Sequence, residues 1–128
     1  MRVSPERLQL LSPRSLKDAL SMLRDAVDES RPLVPLAGGT DLFVGLNAGQ
    51  EVGPRFLDLW GLEELRGIRR DGKGKRSRLV LGALATYSDC ARDRAVHRIL
   101  PILAAAAREV GGLQIQNRGT LEIGRAHV

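Results

Sequence analysis

The segment Pro35-Leu36-Ala37-Gly38-Gly39-Thr40-Asp41-Leu42 sets two adjacent glycines between an apolar run and a helix-like stretch. Leu33–Ala37 reads as a short buried strand, and Asp41-Leu42-Phe43-Val44-Gly45-Leu46 has helical spacing with a start at Thr40 or Asp41. A strand that passes into a helix through two residues without Cβ commits this region to an α/β unit. Glycine permits positive φ and lets another group approach the backbone closely. The helix start exposes N–H groups and a local positive potential, and Thr40 adds a hydroxyl. Such a nest suits a phosphate or pyrophosphate. A bare turn would use the same two glycines, and Asp41 opposes a naked phosphate unless its side chain points away. The segment matches neither the P-loop nor the six-residue dinucleotide fingerprint.

Other elements group around this unit. Leu8, Leu10 and Leu11 suggest a short extended entry, broken by Ser12-Pro13-Arg14-Ser15. Ser15 with Asp18 resembles a capping box, and Leu16, Ala19, Leu20, Leu23 and Val27 follow at helical spacing with one apolar face. After Pro54, Phe56–Leu59 reads as a strand and Leu62–Leu65 as a turn of helix. Ile68 and Leu79–Leu81 form two arms of a hairpin. Thr86 or Ser88 caps a short helix through Arg94. A further helix runs from Ile99, with Pro101 in its first turn, until Gly111-Gly112 stops it. Leu113 and Ile115 are expected to begin another strand. The fold class is therefore α/β (α+β).

Charge and composition narrow the function. The chain carries a net charge of +5, and its dense basic run, Arg69–Arg78, is broken by glycines between two apolar stretches. That pattern reads as an exposed hairpin loop, and without neighbouring aromatic residues it lacks stacking platforms for nucleic acid. A single cysteine, Cys90, excludes an internal disulfide and a multi-cysteine metal cage. No apolar run reaches the length of a membrane span, and no signal-peptide core is present, so a cytoplasmic protein is expected. Asp58 reads as a strand-end hydrogen-bonding residue, Cys90 as a buried apolar one, His97 as a surface residue, and Trp60 and Tyr87 as packing residues.

Taken in order, Ala37–Leu42, Leu57-Asp58-Leu59 with Leu62–Leu65, Leu81-Gly82-Ala83 with Thr86, Leu100–Leu103, and Gln114-Ile115-Gln116-Asn117-Arg118-Gly119-Thr120 form one pattern. It resembles the FAD-binding domain of the molybdenum hydroxylases, in particular the medium, flavoprotein subunit of the carbon monoxide dehydrogenase and xanthine dehydrogenase type. The resemblance covers nearly all of residues 1–121. It implies a two-subdomain flavin-binding fold of the vanillyl-alcohol-oxidase-like (PCMH) type. About 1–55 would form the first subdomain and about 56–121 the start of a second, incomplete one.

The resemblance also implies that FAD lies between the subdomains, with Leu36, Ala37, Gly38, Gly39, Thr40, Asp41 and Leu42 around its pyrophosphate. Gly119 and Thr120 would open a second loop, which in the family continues through glycine and asparagine; here Glu122 stands at the first of those glycines. Gln116 replaces a usual arginine. Partners would be a molybdopterin-binding large subunit and an iron–sulfur small subunit, with NAD or another acceptor taking the electrons. No catalytic acid or base, no metal ligand, no nucleic acid and no membrane is expected for this chain. Another PCMH-type flavoprotein oxidoreductase, such as an enolpyruvyl-sugar reductase, remains open. So do a non-catalytic subunit-assembly module and a basic nucleic-acid binder.

Residues 122–128 have no fold logic: no apolar period, no turn signal and no cap. The codons GAG-ATC-GGA-AGA-GCA-CAC-GTC would encode them, a string that resembles a common sequencing adapter. They are expected to be a non-native tail on a chain cut within the second loop. Such a fragment is expected to be inactive alone and to bind FAD poorly.

Overall fold

A computed structural model describes residues 8–49, 53 and 55–122. Residues 123–128, which make up most of the expected tail, lie outside the described residues, as does Pro54. The chain divides between Glu64 and Leu65 into two compact units. That division falls beyond the boundary near residue 55 read from the sequence, because the strand after Pro54 is the centre of the first unit's sheet.

The first unit is built from β1 (Gln9–Leu11), α1 (Leu16–Asp28), β2 (Val34–Leu36), α2 (Thr40–Asn47) and β3 (Arg55–Asp58), followed by a 3₁₀ turn at Glu63–Leu65. Its three strands are parallel in the order β1-β3-β2. As the central strand, β3 is covered most completely, with Phe56 and Leu57 buried between the half-buried Arg55 and Asp58 at its ends. Pro35 is tolerated because β2 is an edge strand, where a missing N–H interrupts no ladder on its outer side.

Ser15 caps α1 by accepting from Asp18 N, and the Asp18 carboxylate accepts from Arg14 N rather than from the cap residue itself. The buried line of α1 passes through Ala19 and Ala26, whereas Leu20 and Val27 are exposed. The expected apolar stripe is therefore rotated toward the alanines, whose small side chains allow the closest approach of the helix backbone.

The second unit contains β4 (Ile68–Asp71), a 3₁₀ turn at Gly74–Arg76, β5 (Arg78–Leu81), α3 (Tyr87–Arg92), α4 (Arg94–Ile99), α5 (Pro101–Arg108) and α6 (Leu113–Arg118). The strands form an antiparallel hairpin in which Ile68 faces Leu81 and Asp71 faces Arg78. The core gathers Tyr87, Cys90, Val96, Ala104 and Ala107, with Ile68, Leu79 and Leu81 of the hairpin packed against it. Thr86 and Asp89 form the full capping box of α3. Asp93 ends that helix and caps α4 by accepting from Ala95 N and Val96 N. The helix expected through Arg94 therefore stops at Arg92, and α4 is a further helix that the sequence reading did not contain.

The expected strand at Leu113 and Ile115 is the helix α6. The alternation Leu-Gln-Ile-Gln mimics a two-residue period, but tertiary bonds decide otherwise. Gly111 turns the chain at φ +56°, where a Cβ would crowd Ile115 at 3.2 Å. Gln116 Nε2 then donates to the carbonyls of Arg108 and Gly111, satisfying acceptors at the end of α5. The Ser88 hydroxyl bonds to Asn117 Oδ1 and ties the last turn of α6 to α3.

Candidate functional site

In the first unit the glycine turn has the geometry of a backbone anion site. Leu36 ends β2, and its carbonyl accepts from Leu59 N at 2.8 Å, locking the strand end before the turn. Ala37 and Gly38 are buried, and Gly39 takes φ +76° at the N-cap of α2. No side chain caps this helix at Gly39. The helical ladder opens with Phe43 N donating to the carbonyl of Gly39 at 3.0 Å. By helix geometry the N–H groups of Thr40, Asp41 and Leu42 precede that ladder. They carry the positive end of the helix dipole.

A Cβ on Gly39 would lie 3.1 Å from the Phe43 ring, in a conformation that L side chains rarely adopt. Thr40 and Leu42 are half-buried, and Asp41 is exposed in the first turn. The turn fits a phosphate-bearing group in supplying backbone donors and a helix dipole, with the Phe43 ring beside Gly39.

Gly119 and Thr120 lie in the second unit at the end of α6. Gly119 has an ordinary φ of −64°, so conformational freedom is not the reason for glycine here. A Cβ would stand 2.8 Å from Tyr87 Cε2 and 3.0 Å from the Ile115 carbonyl, and the ring leaves no room for it. Tyr87 N also donates to the Gly119 carbonyl, Leu121 N donates to Ala85, and Thr86 bridges Thr120. The Gly119 N–H donates to Ile115 O and the Thr120 hydroxyl to Glu122 O. Both donors are thus engaged by the chain itself. The part played by Thr86–Ser88 in holding this segment left no local trace in the sequence, since it depends on pairing across some thirty residues.

Other singled-out residues have structural tasks. Asp58 Oδ1 accepts from Trp60 N at 3.0 Å, which shapes the turn after β3. His97 is exposed, with Nε2 2.7 Å from the Ala91 carbonyl. Cys90 is fully buried, and desolvation, reinforced by Asp89 and Asp93, pushes its thiol above the ordinary range. Among the described residues no cluster of three His, Cys, Asp or Glu side chains is placed to hold a metal ion. Among them, too, no helix is long and apolar enough to cross a membrane.

Comparison with known proteins bears on this geometry. Residues 6–122 match the family described as the FAD binding domain in molybdopterin dehydrogenase. The chain is 31% identical to the carbon monoxide dehydrogenase medium chain of Hydrogenophaga pseudoflava, over 96% of its own length and 40% of the relative's. It is 34% identical to the xanthine dehydrogenase FAD-binding subunit of Escherichia coli O157:H7, over 83% of its own length and 34% of that protein's. A crystallised carbon monoxide dehydrogenase from Hydrogenophaga pseudoflava, lacking the Mo-pyranopterin moiety of its molybdenum cofactor, superposes with a TM-score of 0.78 at 30% identity. That superposition covers 92% of this chain and 39% of the crystallised one. The chain thus spans about two-fifths of the length of these relatives. Its mixed α/β architecture is that of the flavin-binding medium chains, and it belongs to the family of FAD-binding domains found in molybdopterin dehydrogenases.

Proposed function

We propose that this chain forms the FAD-binding part of the flavoprotein subunit of a cytoplasmic molybdenum-containing hydroxylase or dehydrogenase. The observation that carries the reading is the uncapped start of α2 behind Gly39, within a chain whose length is almost wholly matched by an FAD-binding family. The N–H groups of Thr40, Asp41 and Leu42 hold the FAD pyrophosphate. Leu36 and Ala37 fix the strand end that aims them, and Gly39 supplies the positive φ that turns the chain into α2. Gly119 and Thr120 belong to a second cofactor-binding loop, a role that rests on the family match.

FAD, when bound, supplies the redox chemistry; the protein binds and orients it. In the complete assembly electrons arrive from iron–sulfur centres in a small subunit, having left the substrate at molybdopterin in a large one. They leave to NAD or another acceptor. No residue of this chain acts as a general acid or base in that relay. The test is flavin content of the complete subunit, purified and then titrated with FAD after flavin removal. Stoichiometric rebinding that depends on Gly39 supports the assignment. Rebinding that ignores substitutions throughout Leu36–Leu42 rejects it.

A further inference from the structure

The run Arg69–Arg78 contains six basic residues against one acid, Asp71, a net +5 that equals the net charge of the whole chain. The remainder of the sequence therefore holds as many acidic as basic residues, and the excess is confined to one hairpin. Its structure holds that charge on one hairpin, with Lys73, Lys75 and Arg76 exposed at the tip. Ile68, Leu79 and Leu81 fasten the arms to the core. Register places the pairs Arg69–Val80 and Asp71–Arg78 on the opposite face.

The tip is a folded turn, with Gly72 at φ +81° and Gly74 at φ +58°. A Cβ on Gly72 would meet the Arg76 carbonyl at 2.8 Å. Arg76 N donates to Lys73 O, and Ser77 N donates to Gly74 O. Inside the hairpin Arg78 meets Asp71 at 3.4 Å, and Arg70 bonds to the Ser77 hydroxyl. Among the described residues Arg69, Lys73, Lys75 and Arg76 have no ion-pair partner. Holding like charges together in an ordered turn costs electrostatic repulsion that a mere connector would avoid.

We propose that the β4–β5 hairpin is a docking surface for an acidic face of a protein partner. Exposed, ordered cations of this kind steer encounter and fix orientation at an interface rim. No aromatic residue lies between Trp60 and Tyr87, so the stacking that single-stranded nucleic acid would use is missing. The surface is independent of the flavin reading, since none of its residues belongs to the glycine turn or the Gly119–Thr120 segment.

The experiment compares the full-length protein with a tip variant, K73S/K75S/R76S, and a charge-matched control, K17S/R94S/R98S, drawn from exposed positions elsewhere. The probes are a labelled polyglutamate peptide, standing for an acidic protein surface, and a DNA duplex. Each is titrated at about 50 and about 150 mM salt, where the screening length shortens from about 14 to about 8 Å. Peptide affinity should fall by at least about tenfold in the tip variant and by less than about threefold in the control. The single exposed change Lys75→Glu should weaken the peptide in the same direction, so a misfolded triple variant would not decide the matter. Equal losses in tip and control variants, no peptide binding at the lower salt, or tighter binding of the duplex than of the peptide at the higher salt would each overturn the proposal.

Discussion

Replacing Gly39 separates two physical roles of the same residue. The backbone there sits at φ +76°, a left-handed conformation that costs an L-residue about 1–2 kcal/mol. The added Cβ of Gly39→Ala would come to 3.1 Å from the Phe43 ring, but that ring is 63% exposed and can swing outward. Strain therefore dominates the folding cost, and stability should fall by about 1–2 kcal/mol. Flavin binding responds to something else. Each charge-assisted bond from a backbone N–H contributes about 1.5–3 kcal/mol, so tilting one or two of these donors weakens FAD by at least about tenfold.

Gly39→Asn tells the two apart, because asparagine tolerates the left-handed region better than most side chains. It should recover most of the thermal stability lost in Gly39→Ala, while its side chain still obstructs the pyrophosphate. Gly39→Val, strained and bulky, should lose both. The assays are thermal unfolding and fluorescence titration of flavin-free complete subunit with FAD. If Gly39→Val kept its flavin affinity, the cradle assignment would be wrong. If Gly39→Asn bound FAD as tightly as the parent, the loss in the alanine variant would belong to strain alone.

Three further outcomes follow from packing and capping. Gly119→Ala should destabilise the protein by about 1–3 kcal/mol through overpacking against Tyr87. Adding Tyr87→Leu should return part of that, and an additive pair in chemical denaturation would show that the ring is not the obstacle. Asp93→Ala removes the acceptor for Ala95 N and Val96 N, and should cost about 0.5–2 kcal/mol in the same measurement. Cys90 should resist alkylation in the native protein and react on unfolding. Burial raises its folded pKa above the ordinary 9.0, so the unfolded thiol ionises first as pH rises. This contribution to stability is whole below the unfolded pKa and is lost as pH climbs through the folded one. A Cys90→Ala variant should lack that alkaline decline, and an identical pH dependence in the two proteins would refute the linkage.

The sequence by itself determined the parts whose signals are local. Two glycines after an apolar run specified a strand, a turn and a helix start, because only residues without Cβ pass easily through φ near +76°. Ser15, Thr86 and Pro101 marked helix beginnings, since caps act on amides within the same turn. The basic run declared itself a hairpin tip between apolar arms. The order of motifs along the chain is that of the flavin-binding family, a signal that needs no tertiary contact.

Tertiary structure decided what depends on distant partners. Leu113–Arg118 became a helix because Gln116 and Asn117 find acceptors and donors on α5 and α3, which no count of apolar spacing contains. The buried face of α1 settled on Ala19 and Ala26, a choice among several apolar residues that only close approach of other elements makes. Gly119 owes its identity to the ring of Tyr87. Pattern along a chain encodes which groups seek burial or a bond, while the identity of the group that receives them is a property of the folded molecule.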